Sequence, residues 1–355
     1  MRALRKAMGD AEVEALLVTN LPDVRYLCGF TGSNAALVVT ANKAVFFTDG
    51  RYTTQAKEET EGVRVVISPK SALRDACELL DTSAKRASFD PEHVTVAQLA
   101  QMRSVIGGKK RRGFFSPLER PLIAELRMVK DADELKLMAK AADLGNRVFQ
   151  AVLPHIRSGA TEVEVAAGLE FFARSMGAEG MSFDTIVASG PRSALPHGHA
   201  SRQKLPRNGF VTLDFGVILN GYCSDMTRTV CLGKPGPLER QAYDAVLRAQ
   251  EAAVDAVRPG VTCGEVDEAA RSILRKEGLG RYFTHSTGHG VGLEIHEQPR
   301  VAAEQTLELK PGMVITIEPG VYLAGKFGIR IEDMIAVTDR GNKVLTPVQK
   351  TLIGL

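Results

Sequence analysis

The chain has 355 residues, 44% of them hydrophobic and 25% charged. At roughly 100–200 residues per domain that is room for two domains, and the composition excludes a disordered or low-complexity chain. Lys plus Arg number 45 against 42 Asp plus Glu, a formal +3, a balance that argues against a dedicated nucleic-acid binder.

The five cysteines, at 28, 77, 223, 231 and 263, are odd in number and form no CxxC pair. A disulfide framework is not expected, and reduced thiols in a cytoplasmic protein fit best. The N-terminal stretch MRALRKAMGDAEVEALLV has only a four-residue apolar run, which suits neither a signal peptide nor a membrane span. ALLVT at 15–19 and AALVVT at 35–40 read as short strands, and AVFFTDGRY at 44–52 as a third, closed by Asp49-Gly50. Alternating helix and strand patterns run to about residue 118, making a small α/β domain without a metal-ligand cluster. The one basic run, Lys109-Lys110-Arg111-Arg112, reads as a solvated loop rather than a nucleic-acid or nuclear-targeting signal.

Past Pro117 and Pro121 the pattern changes. Residues 128–153 are predicted as a long amphipathic helix, with Leu135, Met138, Ala142 and Phe149 at helical spacing and Asp131 or Asp133 placed to cap it. The boundary is expected at about 120–128, dividing the chain into domains 1–125 and 126–355. The second domain carries an internal repeat, R-x-G-x-T-x-x-E-V, at Arg157–Val165 and again at Arg258–Val266, an offset of 101 residues. Each copy holds a capping box, Thr161 with Glu164 and Thr262 with Glu265. Each opens a helix with matching apolar positions that meets a glycine at its end, Gly177 or Gly278. Five identities and a matched helix end point to two related halves with a site between them.

The chemistry gathers after the first repeat. In FVTLDFGVILNGYCSDMTRTV, 210–230, apolar residues alternate with polar ones about Asn220-Gly221, a strong hairpin signal. Pairing about that turn sets Asp214 opposite Thr227 and Gly216 opposite Asp225. Asp214 and Asp225 then share a face as diagonal neighbours within about 8 Å, together with Thr212, Thr227 and Thr229. Two carboxylates so placed can hold metal ions or do acid–base work; a solvent-facing sheet surface is the other reading, and the hairpin alone does not choose. THSTGHGVGLEIHEQP, 284–299, then brings His285, His289 and His296 within twelve residues, with glycines around His289. Glu318 ends the apolar run VITIEPGVYL, which is expected to be a strand stopped by Pro319-Gly320. GIRIEDMIAV is expected to set Arg330 and Glu332 on one strand face. Asp214, Asp225, His289, Glu318 and Glu332 make one imidazole and four carboxylates, an oxygen-rich set suited to Mn²⁺, Fe²⁺, Co²⁺ or Zn²⁺ in a two-metal site.

On these motifs the chain resembles the Xaa-Pro peptidases of the pita-bread metallopeptidase family, prolidase and aminopeptidase P. The TDGRY stretch at 48–52 is similar to their N-terminal domain. The resemblance implies an α+β chain: a creatinase-like α/β domain, then a pita-bread catalytic domain with internal pseudo-two-fold symmetry. It implies that Asp214 binds one metal, that Asp225 and Glu332 bridge two, and that His289 and Glu318 bind the other, with manganese placed ahead of Co, Fe and Zn. It assigns a further histidine in SGPRSALPHGHAS, taken as His197 rather than His199. His296 matches the second non-ligand histidine, and Arg300 resembles a residue that binds the substrate carboxylate, a surface arginine being its plainer reading.

The implied activity is hydrolysis of the Xaa-Pro bond, as a dipeptidase, with an aminopeptidase acting on longer peptides as the alternative. Glu318 would shuttle the proton; His197 and His296 would hydrogen-bond the substrate or the tetrahedral intermediate. A methionine aminopeptidase shares the catalytic fold but lacks the extra N-terminal domain. A metal-free amidinohydrolase or a binding protein of the same fold should have lost ligands, and all five are present. The substrate is expected to be a small proline-containing peptide, with no nucleic acid or membrane partner, and the chain is expected to be a cytoplasmic homodimer.

Overall fold

The computed structural model describes residues 1–108 and 113–355, so the basic run 109–112 lies outside the described residues. The chain divides into two compact units, Met1–Arg127 and Met128–Leu355.

In the first, chain order runs α1 (Arg2–Asp10), β1 (Ala15–Val18), α2 (Leu21–Cys28), β2 (Ala36–Thr40), β3 (Ala44–Asp49), α3 (Thr53–Glu59), β4 (Arg64–Ser68), α4 (Ala72–Ser83), β5 (Ala87–Phe89), α5 (Val96–Val105), β6 (Phe115–Pro117) and α6 (Leu122–Met128). The strands form one sheet in the order β4-β3-β2-β1-β5-β6, antiparallel in the middle and parallel at both flanks. Alternate residues enter two cores, Leu17, Val38 and Phe47 on one side and Leu16, Leu37 and Phe46 on the other. Burial of both faces is why these strands read as unbroken apolar runs. The third expected strand is shorter than 44–52: it ends at Asp49, whose carboxylate accepts the Arg51 amide and turns Gly50–Tyr52 into a 3-10 turn.

The second unit comprises α7 (Ala132–Val152), α8 (Glu162–Ser175), β7 (Gly180–Met181), β8 (Ile186–Ser189), β9 (Gly209–Phe215), β10 (Val217–Leu219), β11 (Tyr222–Cys223), β12 (Met226–Leu232), α9 (Pro237–Ala256), α10 (Cys263–Lys276), β13 (Gly288–Gly290), β14 (Glu297–Val301), β15 (Val314–Ile317), β16 (Gly320–Leu323), β17 (Phe327–Arg330), β18 (Asp333–Thr338) and β19 (Gly341–Val344). Asp131 caps α7 in a reciprocal box with Glu134.

The repeat is structural. α8 and α10 are each 14 residues long and begin 101 residues apart, at Glu162 and Cys263. Both capping boxes form, and both helices close through a left-handed glycine, Gly177 (φ 100°) and Gly278 (φ 72°). The next amide bonds back into each helix, Ala178 to Ala173 and Leu279 to Leu274. Each cap residue also bridges to the chain ahead of its half's main strand, Thr161 to Lys204 and Thr262 to Glu308. In the first half, α7 and α8 bury Leu144, Val148, Val165 and Leu169 against Val187, Val211, Leu213 and Val230. In the second, α9 and α10 bury Val246, Ala249, Val266 and Ala270 against Ile315, Ile317, Ile329 and Ile335.

The equivalence predicts equal costs. Thr161→Ala and Thr262→Ala should each destabilise the second unit by about 1 kcal/mol, read as similar drops in urea midpoint; a loss at one site only would break the equivalence.

Candidate functional site

Each half contributes a broken hairpin. In the first, β9 pairs with β12 as far as Phe215 opposite Met226, with Asp214 opposite Thr227. The same register resumes in β10 and β11, Leu219 opposite Tyr222, around Asn220-Gly221, both at positive φ (49° and 77°) as a type I′ turn requires. Between the two stretches the ladder opens at Gly216 and Asp225. A Cβ at Gly216 would lie 1.8 Å from the Ser224 carbonyl oxygen, so only glycine lets the strands cross so closely. The Asp225 amide leaves the ladder and donates to Met334 Sδ at 3.2 Å. The shared polar face is not solvent-facing: Thr212, Thr227, Thr229 and Asp225 are all buried.

The second hairpin has the expected stop at Pro319-Gly320, β15 ending at Ile317, but 328–337 is two strands rather than the one expected. β15 pairs with β18 up to Ile317 opposite Asp333, and β16 pairs with β17 from Gly320 opposite Arg330. The break holds Glu318-Pro319 on one side and Ile331-Glu332 on the other. Pro319 has no N–H to give the ladder. The Glu318 amide donates to Thr287 O at 2.7 Å and the Glu332 amide to Thr227 O at 3.1 Å. Glu332 is thereby tied to the first hairpin, and it lies in the break that follows Arg330, so the two do not share one regular strand face.

These breaks bring the acids together. Asp225, His289 and Glu332 place one ligand atom each within 4.8 Å of one another. His289 Nδ1 lies 2.9 Å from the Gly290 carbonyl oxygen, so that nitrogen carries the proton and Nε2 keeps its lone pair. Nε2 is 3.6 Å from both Asp225 Oδ2 and Glu318 Oε1, too long for hydrogen bonds. Ligand atoms about 2.1 Å from one ion stand roughly 3–4 Å apart, so the spacing suits a shared cation. Asp214 Oδ1 and Asp225 Oδ1 are buried without a hydrogen-bond partner, the condition a metal ion relieves.

The electrostatics agree. Burial, and then the Glu332, Asp214 and Glu318 carboxylates, push Asp225 well above the usual carboxylate range. Burial and its acidic neighbours do the same to Glu332. Burial raises Glu318 to about 8 and lowers His289 to about 4. The counter-charge among these side chains is Arg330, which donates to Asp214 Oδ2 at 2.6 Å, to the Thr227 hydroxyl at 3.1 Å and to the Tyr322 hydroxyl at 2.7 Å. The Thr227 hydroxyl donates a hydrogen bond to Glu332 Oε2 at 2.7 Å. Tyr322 in turn donates to His285 Nε2 at 2.9 Å, since His285 Nδ1 donates to Ser286 O at 2.8 Å. His285 thus supports Tyr322. Arg330 and Tyr322 were not among the expected site residues, although the alternation of Arg330 with Glu332 was a signal for the first.

The remaining candidates lie at different depths. The His296 ring centroid is 4.5 Å from that of His289. Partial burial lowers its pKa, with Asp214 opposing and His197 assisting. His197 is exposed and near enough to both His285 and His296 to disfavour their protonation. His199 instead has its backbone bridged to Ile186. Arg300 is exposed on β14, directly opposite His289 in the β13–β14 register, and such partners project to the same side.

A buried cluster of carboxylates and one imidazole on a duplicated α+β scaffold defines a metal-dependent hydrolase. Residues 136–339 match metallopeptidase family M24, and residues 1–129 match the creatinase/prolidase N-terminal domain. The chain belongs to metallopeptidase family M24 and is a metallopeptidase. It is 36% identical over 351 residues to an Xaa-Pro dipeptidase of Pyrococcus horikoshii, covering 98% of this chain and 96% of that one. An Xaa-Pro dipeptidase structure from Bacillus anthracis superposes with a TM-score of 0.95 at 39% identity, covering 100% of this chain and 98% of the other. An X-Pro aminopeptidase structure from Thermotoga maritima gives 0.89 at 36% identity, covering 99% and 100%. The creatinase-like domain followed by a pita-bread catalytic domain, implied by the resemblance, is therefore the fold of this chain.

The raised carboxylates set a pH dependence for the metal-free protein. Groups whose pKa is raised by folding bind protons more tightly in the native state. Stability is then lost as pH climbs from the unfolded value, about 4, through the folded one, about 8 for Glu318. Chelator-stripped protein should melt lower at pH 8 than at pH 5, and added Mn²⁺ should restore the pH 8 value; a flat profile would contradict the clustering of charge.

Proposed function

We propose that this metallopeptidase hydrolyses Xaa-Pro dipeptides using two divalent cations, manganese first among Mn²⁺, Co²⁺, Fe²⁺ and Zn²⁺. The observation that carries the reading is the clustering of Asp225 and Glu332 with His289, with Asp225 and Glu318 each 3.6 Å from the free His289 Nε2 and buried oxygens of Asp214 and Asp225 left unpartnered. Full-length similarity to proteins named Xaa-Pro dipeptidase supports the substrate class. Asp214 would hold one cation, Asp225 and Glu332 would bridge both, and His289 and Glu318 would hold the other.

Such a pair, when bound, supplies a hydroxide near neutral pH and polarises the scissile carbonyl. The chain's own groups do the rest. Glu318, only 18% exposed, takes a proton at its carboxylate and delivers it to the departing proline nitrogen, which leaves as a secondary amine. Burial holds the His296 pKa below its ordinary value, which favours the neutral imidazole, and its N–H would donate to the developing oxyanion, with His197 as a second donor. Arg330 holds Asp214 directly and Glu332 through Thr227, orienting acids on both hairpins. Arg300, on the same side as His289, meets the free carboxylate of a dipeptide. A bond to proline has no N–H, so selection rests on shape and on that carboxylate.

On this reading the chain has a creatinase-like domain over 1–125 and a catalytic domain over 126–355, supported by the division of the structure after Arg127. A cytoplasmic setting is supported by five free, buried cysteines. Among the described residues no helix is long and apolar enough to cross a membrane. A homodimer belongs to the same reading by family resemblance, and light scattering reads it directly.

The X-Pro aminopeptidase of Thermotoga maritima, at 36% identity, makes activity on longer peptides the competing reading. With added Mn²⁺, Xaa-Pro should be cleaved at higher kcat/KM than Xaa-Pro-Yaa-Zaa; the reverse preference would replace the dipeptidase assignment. His197→Ala and His296→Ala should each lower kcat by roughly 10²–10³-fold with metal content unchanged. Arg300→Ala should raise KM for dipeptides by about tenfold and leave longer substrates unaffected; equal effects on both would return Arg300 to an ordinary surface residue.

A further inference from the structure

One fully buried carboxylate lies outside the chemistry described above. Glu162 opens α8 with no exposed surface, and five donors converge on it. Oε1 accepts the Ser189 amide at 2.8 Å and the Ser189 hydroxyl at 2.9 Å. Oε2 accepts the Ser201 amide at 3.1 Å and the Ser201 hydroxyl at 2.6 Å. Arg192 Nε donates to the same carboxylate at 3.0 Å, and Arg192 Nη2 continues to the His199 carbonyl at 2.7 Å. Ser189 ends β8 and Ser201 lies beyond His199, so one side chain clasps both ends of the segment that carries His197 and, through Arg192, its interior.

The internal repeat supplies a control. The position 101 residues on is Cys263. There the helix start pairs with its facing segment through backbone alone, Cys263 N to Leu307 O and Gly264 N to Gln305 O, both at 2.9 Å. The first half has the same backbone pairing, Glu162 N to Gln203 O and Val163 N to Ser201 O, both at 3.0 Å. Joining helix to segment therefore needs no acid. What the carboxylate adds is a set of charge-assisted bonds that reach Ser189 and Arg192 as well, on the His197 side of the joint.

We propose that Glu162 is a positioning residue: its contacts to Ser189, Arg192 and Ser201 set the conformation in which the 189–201 segment presents the His197 imidazole to substrate. The inference rests on the role given to His197 in the proposed hydrolysis. Glu162→Gln keeps the size of the side chain but turns an N–H₂ group toward donors, so the clasp loosens.

Hydrogen–deuterium exchange should show amides of 190–200 exchanging roughly tenfold faster in Glu162→Gln while α10 is unchanged. Mn²⁺ affinity should stay within about twofold, because no proposed metal ligand moves. On an Xaa-Pro substrate, kcat/KM should fall by roughly 10–100-fold. In a His197→Ala background the same substitution should cost less than about twofold. Full additivity of the two substitutions would overturn the proposal in favour of a general loss of structure, and unchanged exchange over 190–200 would overturn it outright. Ser201→Ala, which removes only one hydroxyl donor, should move every readout the same way by less and serves if Glu162→Gln does not fold. If the wild-type protein cleaves no proline peptide, the Xaa-Pro reading fails by itself, while exchange in the segment still judges the clasp.

Discussion

Asp214, Asp225, Glu318 and Glu332 lie close enough to disfavour one another's ionisation, with the Arg330 guanidinium among them, and cannot all ionise in a buried site without added positive charge. The rest of the second unit is arranged around that constraint. Arg330 donates to Asp214, Thr227, Tyr322 and the Pro196 carbonyl, and among the described residues no lysine or arginine forms an ion pair with Asp225, Glu318 or Glu332. Hydrogen bonds orient the acids and do not neutralise them. A scaffold that accepts this repulsion has a reason to bind divalent metal, and membership of a metallopeptidase family is consistent with that physics.

The duplicated architecture explains how the repulsion is tolerated. Each half is a helix pair on antiparallel strands with its own apolar core, so burial elsewhere stabilises the strands whose ladders open at the site. The openings are where regular pairing is abandoned: Asp225 N goes to sulfur, Glu318 N to Thr287 and Glu332 N to Thr227. The first and the last of these join the two hairpins. The two halves have also diverged around the site, since a buried glutamate clasps the His197 segment in one and a cysteine occupies the matching position in the other.

Much of this was legible in the chain. The capping boxes, the glycine helix ends and the Asn220-Gly221 turn are short-range signals, and each formed where its residues stand. The register from that turn placed Asp214 opposite Thr227, as the structure has it. Less legible were the strand breaks at Gly216 and at Ile331-Glu332. A run such as GIRIEDMIAV alternates well enough to pass for one strand until the partner of each amide is known. Arg330 and Tyr322 were hidden for the same reason: their parity on a strand is visible, but the carboxylate and histidine they meet lie far along the chain.

What the sequence by itself determined is local: where helices begin and end, which turn closes the first hairpin, and that Asp214 stands opposite Thr227. Backbone preference and period-two alternation act over a few residues and need no knowledge of the fold. What only the tertiary structure decided is which acids converge, which stay without hydrogen bonds and which cation answers them. Those outcomes depend on where the amides freed at each strand break find acceptors. Asp225, Glu318 and Glu332 find theirs on segments distant in sequence, and that pairing exists only once both halves have packed.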